Sequence, residues 1–179
     1  MKNKKILLCV TGSIAVYRVC DFIGNLREKG FLITCALTRS ALEFITPLTL
    51  RSLTGREVYS DLFTEYKGVL HTTLADESDL ILVMPASANV IARLANGFAD
   101  DLVTSTILAS RAKVLLVPAM NDNMFRNPLT QENMKKLRSI GYEFVEPVKG
   151  HLVCGREEIG HIASQETVFA KIQSLIKSN

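Results

Sequence analysis

Short unbroken apolar runs alternate along the chain with longer stretches whose apolar residues recur every three or four positions. KILLCV, FLITCALT, DLILVMP and KVLLVP are runs of the first kind, and YEFVEP is a last, weaker one. Their brevity and continuity predict strands buried on both faces. Between the first two runs, Ile14, Val19, Phe22, Ile23 and Leu26 fall at helical spacing, with Gly30 as a C-terminal cap. SALEFI and PLTLRSLTG predict short helices, the second with Pro47 in its first turn. A polar loop leads from there to DLILVMP. ASANVIARLANGFADDLVTSTILAS is helical with an interruption at Gly97, and PLTQENMKKLRSIG is a helix closed by Gly141. SQETVFAKIQSLIKS predicts a C-terminal helix that starts near Ser164 or Gln165.

This alternation implies an α/β fold of a single domain: a Rossmann-like (flavodoxin-like) parallel sheet with helices on both faces. Ligands of such sheets gather at the carboxyl ends of the strands. TGSIA, TRSALEF, PASAN and PAMN all fall there.

Composition narrows the partners. With 179 residues, 47% hydrophobic and 22% charged, the chain can bury a sizeable core. A scattered net charge of +3 does not argue for nucleic acid. No apolar run reaches the roughly 18 residues of a membrane span. MKNKKILLCVTGS begins like a signal peptide, but its apolar part is short and reads as the first strand, so a cytoplasmic protein is expected.

The cysteines are Cys9, Cys20, Cys35 and Cys154. None forms a C-x-x-C pair and no histidine stands at zinc spacing, so neither a metal site nor, in a reducing compartment, a disulfide is expected. Cys9, Cys20 and Cys35 fit as small core residues. Cys154 is followed by glycine and charge and reads as exposed.

The strand ends carry the candidate chemistry. TGSIA joins the first strand to a helix N-terminus, where free N–H groups favour an anion. With one glycine it lacks the G-x-G-x-x-G dinucleotide fingerprint, so it suits a single phosphate, or is an ordinary strand–helix turn. In PASAN, small residues let a flat ligand approach the backbone while Ser87 and Asn89 offer hydrogen bonds. Ser87 also fits a simple N-cap. PAMNDNMFRNP repeats the arrangement one strand later with Asn121.

Taken together, TGSIA, LHTTLADESDLILVMPASAN, GFADDL, PAMNDNMFRNP and LVCG resemble the flavin-dependent cysteine decarboxylases, in the same order over nearly the whole chain. The resemblance implies FMN as cofactor, bound between subunits of a homotrimer that some members assemble into a dodecamer. Carried over by position, Gly12, Ser13 and Ala15 match the first flavin turn, and Thr38 and Ser40 the second. Phe44, Ala86, Ser87, Ala88 and Asn89 would contact FMN, with Ala119 nearby. His71 matches the family's active-site histidine, Asn121 its substrate-carboxylate ligand and Cys154 its acid, while Met124 and Val153 would touch substrate. His151 and His161 have no such match and read as solvated.

In the family the cysteine segment usually runs C-G-x-x-G-x-G and acts as a flap over substrate, here about residues 148–163. This chain has CGREEIGH, with Glu158 in place of the middle glycine and Arg156 in place of the usual acid.

Imidazole titrates near neutrality and suits a base, an amide can orient a carboxylate without adding charge, and an ordinary thiol is protonated at neutral pH and suits an acid. The implied activity is decarboxylation of a small cysteine-containing acid. A peptidyl-cysteine decarboxylase, a flavin prenyltransferase and a non-catalytic regulatory flavoprotein are the alternatives. The chain is too short for the ligase domain fused to many bacterial members, so a separate synthetase is expected.

Overall fold

The computed structural model describes residues 3–63, 68–151 and 157–177. Val153 and Cys154 lie outside the described residues. Six parallel strands form the main sheet: β1 (Lys5–Val10), β2 (Leu32–Leu37), β3 (Val58–Tyr59), β4 (Leu80–Ala86), β5 (Lys113–Pro118) and β6 (Glu143–Phe144). Their order is β3-β2-β1-β4-β5-β6, a Rossmann order. Without the two-residue β3 the remaining order is that of flavodoxin-like sheets. Either way the direction of winding reverses between β1 and β4, which opens a crevice at their carboxyl ends.

Side chains of β1 alternate between two cores. Ile6, Leu8 and Val10 meet α1 (Tyr17–Glu28), α2 (Pro47–Thr54) and α8 (Gln165–Lys177) through Phe22, Ile23, Leu50 and Ile172. Leu7 and Cys9 face α3 (Leu70–Glu77), α4 (Ala88–Ala95), α5 (Leu102–Ala109) and α7 (Pro128–Ser139) through Leu74, Ile91, Val103 and Leu137. Full burial of each such side chain contributes about 1.5–3 kcal/mol, and covering both faces explains why the strand runs lack polar alternation.

The predicted helix punctuation is present. Gly30, Gly97 and Gly141 all have positive φ, and Thr46 caps α2 with Pro47 behind it. The expected helix at 40–45 is a 3-10 turn, Arg39–Glu43.

Five elements depart from the sequence reading. The polar loop before β4 contains β3 and α3. α3 has only Leu70, Leu74 and Ala75 buried and no side-chain cap, so its helical signal is weak and packing against α5 supplies the stability. A short helix α6 (Asp122–Arg126) follows β5, and β7 (Val148–His151) pairs antiparallel with β8 (Glu157–His161) in a separate hairpin.

Candidate functional site

A cavity of about 470 Å³ opens at the carboxyl edge where the sheet reverses. Its floor is built by the ends of β1, β4 and β5. Thr11 is buried there; its hydroxyl donates to the Pro85 carbonyl at 2.6 Å and accepts the Ser87 N–H at 3.0 Å. This one side chain therefore holds the β1 and β4 turns together. Ser13 ties the next pair, its Oγ donating to the Ala119 carbonyl at 3.2 Å. Gly12 is required by close approach, since a Cβ there would stand 2.5 Å from Ser40 Cβ.

Two of the polar residues expected to face a ligand, Ser87 and Asn121, are also helix caps. Ser87 Oγ accepts from Val90 N–H at the start of α4. Asn121 Oδ1 accepts from Asn123 N–H at 3.0 Å and Met124 N–H at 3.4 Å at the start of α6. Capping fixes the Asn121 amide, with Oδ1 committed to the helix and Nδ2 as the donor on the other side. On the opposite wall Thr38 is buried and its hydroxyl has no partner among the described residues. A buried orphan hydroxyl on a cavity wall calls for a ligand or water.

Beside α4 stands a charged cluster that the sequence reading did not assign. Arg93 donates to Asp101 at 2.7 Å and to Asp100. Asp101 also caps α5 in a capping box with Thr104. Burial works against the Arg93 charge, but its hydrogen bonds to the two carboxylates outweigh this and hold its pKa above the ordinary arginine value. With both carboxylates engaged, Arg93 joins α4 to α5 instead of offering a bare cation. The D-x-x-T spacing of the capping box was readable in GFADDLVT; the return of Arg93 onto it was not.

Gly12, Ser13, Ala15, Thr38, Ser40, Ser87, Ala88, Asn89, Ala119, Asn121 and Met124 all line this one cavity. Ala86 is fully buried beneath it, and Phe44 is 48% exposed at the end of the 3-10 turn. His71, half-buried in the first turn of α3, does not line it in the single chain. His161, read as solvated, is instead half-buried on the cavity wall. Its Nδ1–H bonds the Ile162 carbonyl at 2.9 Å, and its ring lies so close over Gly150 that a Cβ there would meet it at 2.9 Å. Only the hairpin puts it there.

The buried thiols are inert by environment. Burial pushes Cys9 far above the ordinary thiol range, with Cys35 and Asp101 adding to it, and burial pushes Cys35 up to about 12. Among the described residues no group of His, Cys, Asp and Glu could hold a metal ion, and no helix is long and apolar enough to cross a membrane.

Fold and cavity together define the class: an α/β protein with a cavity at the switch point of a parallel sheet. The chain belongs to the Flavoprotein family, which it matches over residues 1–177. It is 42% identical over 175 residues to a probable phosphopantothenoylcysteine decarboxylase of Streptococcus mutans, covering 96% of this chain and 98% of that one. It is also 42% identical over 170 residues to the coenzyme A biosynthesis bifunctional protein CoaBC of Bacillus subtilis. That match covers 94% of this chain but 42% of the relative, so the chain spans less than half the length of the bifunctional protein. Among solved structures, a cysteine-to-serine mutant of PPC decarboxylase complexed with pantothenoylaminoethenethiol superposes with a TM-score of 0.89 at 25% identity, over 98% of this chain and 100% of that one. The FMN-dependent cysteine decarboxylase SpaF gives 0.87 at 28% identity, over 98% and 96%.

Proposed function

We propose that this chain is an FMN-dependent phosphopantothenoylcysteine decarboxylase, converting 4'-phosphopantothenoylcysteine to 4'-phosphopantetheine and CO2 in coenzyme A biosynthesis. The observation that carries the reading is the convergence of TGS, PASAN and PAMN on one cavity, in a chain 42% identical to a relative named for that activity.

FMN fits the residues present. The cavity is lined by small and apolar groups that admit a planar ring, and the buried Thr38 hydroxyl lacks a partner among the described residues. Gly12, Ser13, Ser40 and the Ser87–Asn89 turn would hold it. Bound there, the flavin supplies a reversible two-electron acceptor that oxidises the substrate's cysteinyl carbon–sulfur unit and is restored at the end, so no net redox occurs.

The protein's share is binding and proton movement. Asn121 Nδ2 donates to the substrate carboxylate and fixes it without adding a charge. His71 takes the thiol proton as the substrate is oxidised to a thioaldehyde. The C=S group then accepts the electron pair left by departing CO2. Cys154, assigned on its match to the family motif, delivers the proton that accompanies the final reduction.

His71 does not line the single-chain cavity, while Phe44, Ile14 and Tyr17 are about half-exposed. A homotrimer, or a dodecamer built from trimers, would cover these apolar groups and bring a histidine from one copy to the cavity of another. The preceding ligation is the work of a phosphopantothenoylcysteine synthetase.

Incubating the flavin-loaded protein with phosphopantothenoylcysteine under mass detection tests the reading: loss of CO2 is expected, and an unchanged substrate overturns it. The structural likeness to a peptidyl-cysteine decarboxylase, EpiD, with a TM-score of 0.81 at 27% identity, favours one second reading, a peptidyl-cysteine substrate. Turnover of a peptide with a C-terminal cysteine, and not of the small acid, would select it.

A further inference from the structure

A second space of about 630 Å³ lies between α1, the β7–β8 hairpin and the start of α8, and His161 and Ile162 line both it and the main cavity. The groove has a polar wall holding the cations Arg18 and Lys149. Arg18 donates through Nε to the Tyr17 hydroxyl at 3.1 Å and stacks on that ring. Neither Arg18 nor Lys149 makes an ion pair among the described residues, although Asp21 and Glu166 line the same groove. In the main cavity Arg93 is committed to Asp100 and Asp101, while Arg39 stands between Thr38 and Ser40, in the second of the turns assigned to the cofactor.

We infer that the groove receives the far end of the substrate, with Arg18 and Lys149 meeting its phosphate monoester. This rests on the proposed decarboxylase reading. The substrate is a long, flexible molecule whose thiol and carboxylate lie at one end and whose phosphate lies at the other. Holding the reacting end at Asn121 sends the tail past His161, the boundary between the two spaces. Unpaired cations beyond that boundary recognise a dianionic phosphate and have no counterpart to make with a dephosphorylated tail. Asp21 and Glu166 oppose the anion, so removing one of these charges acts in the reverse direction.

The test compares phosphopantothenoylcysteine with pantothenoylcysteine on the flavin-loaded protein. The ratio of their kcat/KM values reports the phosphate contact alone. In the double variant Arg18→Gln with Lys149→Gln the ratio falls by about tenfold, and adding salt narrows the gap between wild type and variant. Glu166→Gln raises the ratio instead. A ratio unchanged in the double variant, or losses equal on both substrates, overturns the assignment. Wild-type turnover of neither substrate refutes the decarboxylase reading itself, a separate outcome.

Discussion

Gly160 of β8 lies directly against Met120 in the turn after β5. Met120 N–H donates to the Gly160 carbonyl at 3.1 Å, and a Cβ on Gly160 would stand 2.3 Å from the Met120 carbonyl oxygen. The φ of +131° at Gly160 is also one that other residues rarely adopt. The hairpin is thus seated on the backbone that presents Asn121.

Gly160→Ala should unseat it. The clash and the φ strain together cost about 1–3 kcal/mol, which released as hairpin detachment raises KM about tenfold or more while flavin stays bound. Gly55→Ala is the control. It carries positive φ but has nothing within 4 Å of the added Cβ, so it should strain the fold and leave KM near wild type. Steady-state kinetics on both variants check this; equal KM values would detach the hairpin from substrate binding.

Asn121→Asp separates capping from substrate contact. Aspartate is as good an N-cap as asparagine, so α6 should stay in place. What changes is the donor Nδ2, replaced by an oxygen whose negative charge repels the substrate carboxylate. A loss of roughly 100-fold or more in kcat/KM is expected with FMN retained. Turnover near wild type would remove Asn121 from the mechanism.

Two further variants divide the reaction in time. His71→Asn should leave the flavin yellow on mixing with substrate, because the first proton transfer fails. Cys154→Ser should release CO2, bleach the flavin and accumulate an enethiol, since serine is a far poorer acid. Stopped-flow absorbance with product mass reads both. Normal saturated thiol from Cys154→Ser at wild-type rate would make that cysteine a structural residue.

Asp79 joins the starts of β1 and β4, accepting from Lys4 Nζ and from Lys5 N–H, each at 2.7 Å. Burial pushes its pKa up, but the hydrogen bonds and charges of Lys4 and Lys5 outweigh that and hold it below the ordinary carboxylate value. A depressed folded pKa stabilises the protein above the unfolded value, about 3.9, and this contribution is lost as pH falls from there through the lower folded value. Asp79→Ala should therefore cost about 1–2 kcal/mol at neutral pH, discounted for partial exposure, with the gap closing below about pH 4. Urea unfolding at several pH values measures it, and a gap that widens in acid would reverse the assignment.

Much of this architecture was local information. Strands buried on both faces must be apolar throughout, so KILLCV and KVLLVP announced themselves. Pro47, Gly97 and Gly141 act through their own backbone preferences and marked helix ends without any partner. The clustering of TGSIA, PASAN and PAMN at one edge followed from strand direction alone. Three things needed the folded chain. α3 exists because α5 covers its few apolar residues, and residues 70–77 show too weak a periodicity to declare it. Arg93 becomes a brace because the chain returns Asp100 and Asp101 to it after the break at Gly97. His161 reaches the cavity wall because Gly160 tolerates a backbone angle and a contact that no side chain permits. Periodicity and backbone preference are properties of neighbouring residues, whereas charge pairing, close approach and the sharing of one wall by two spaces depend on which distant segments meet.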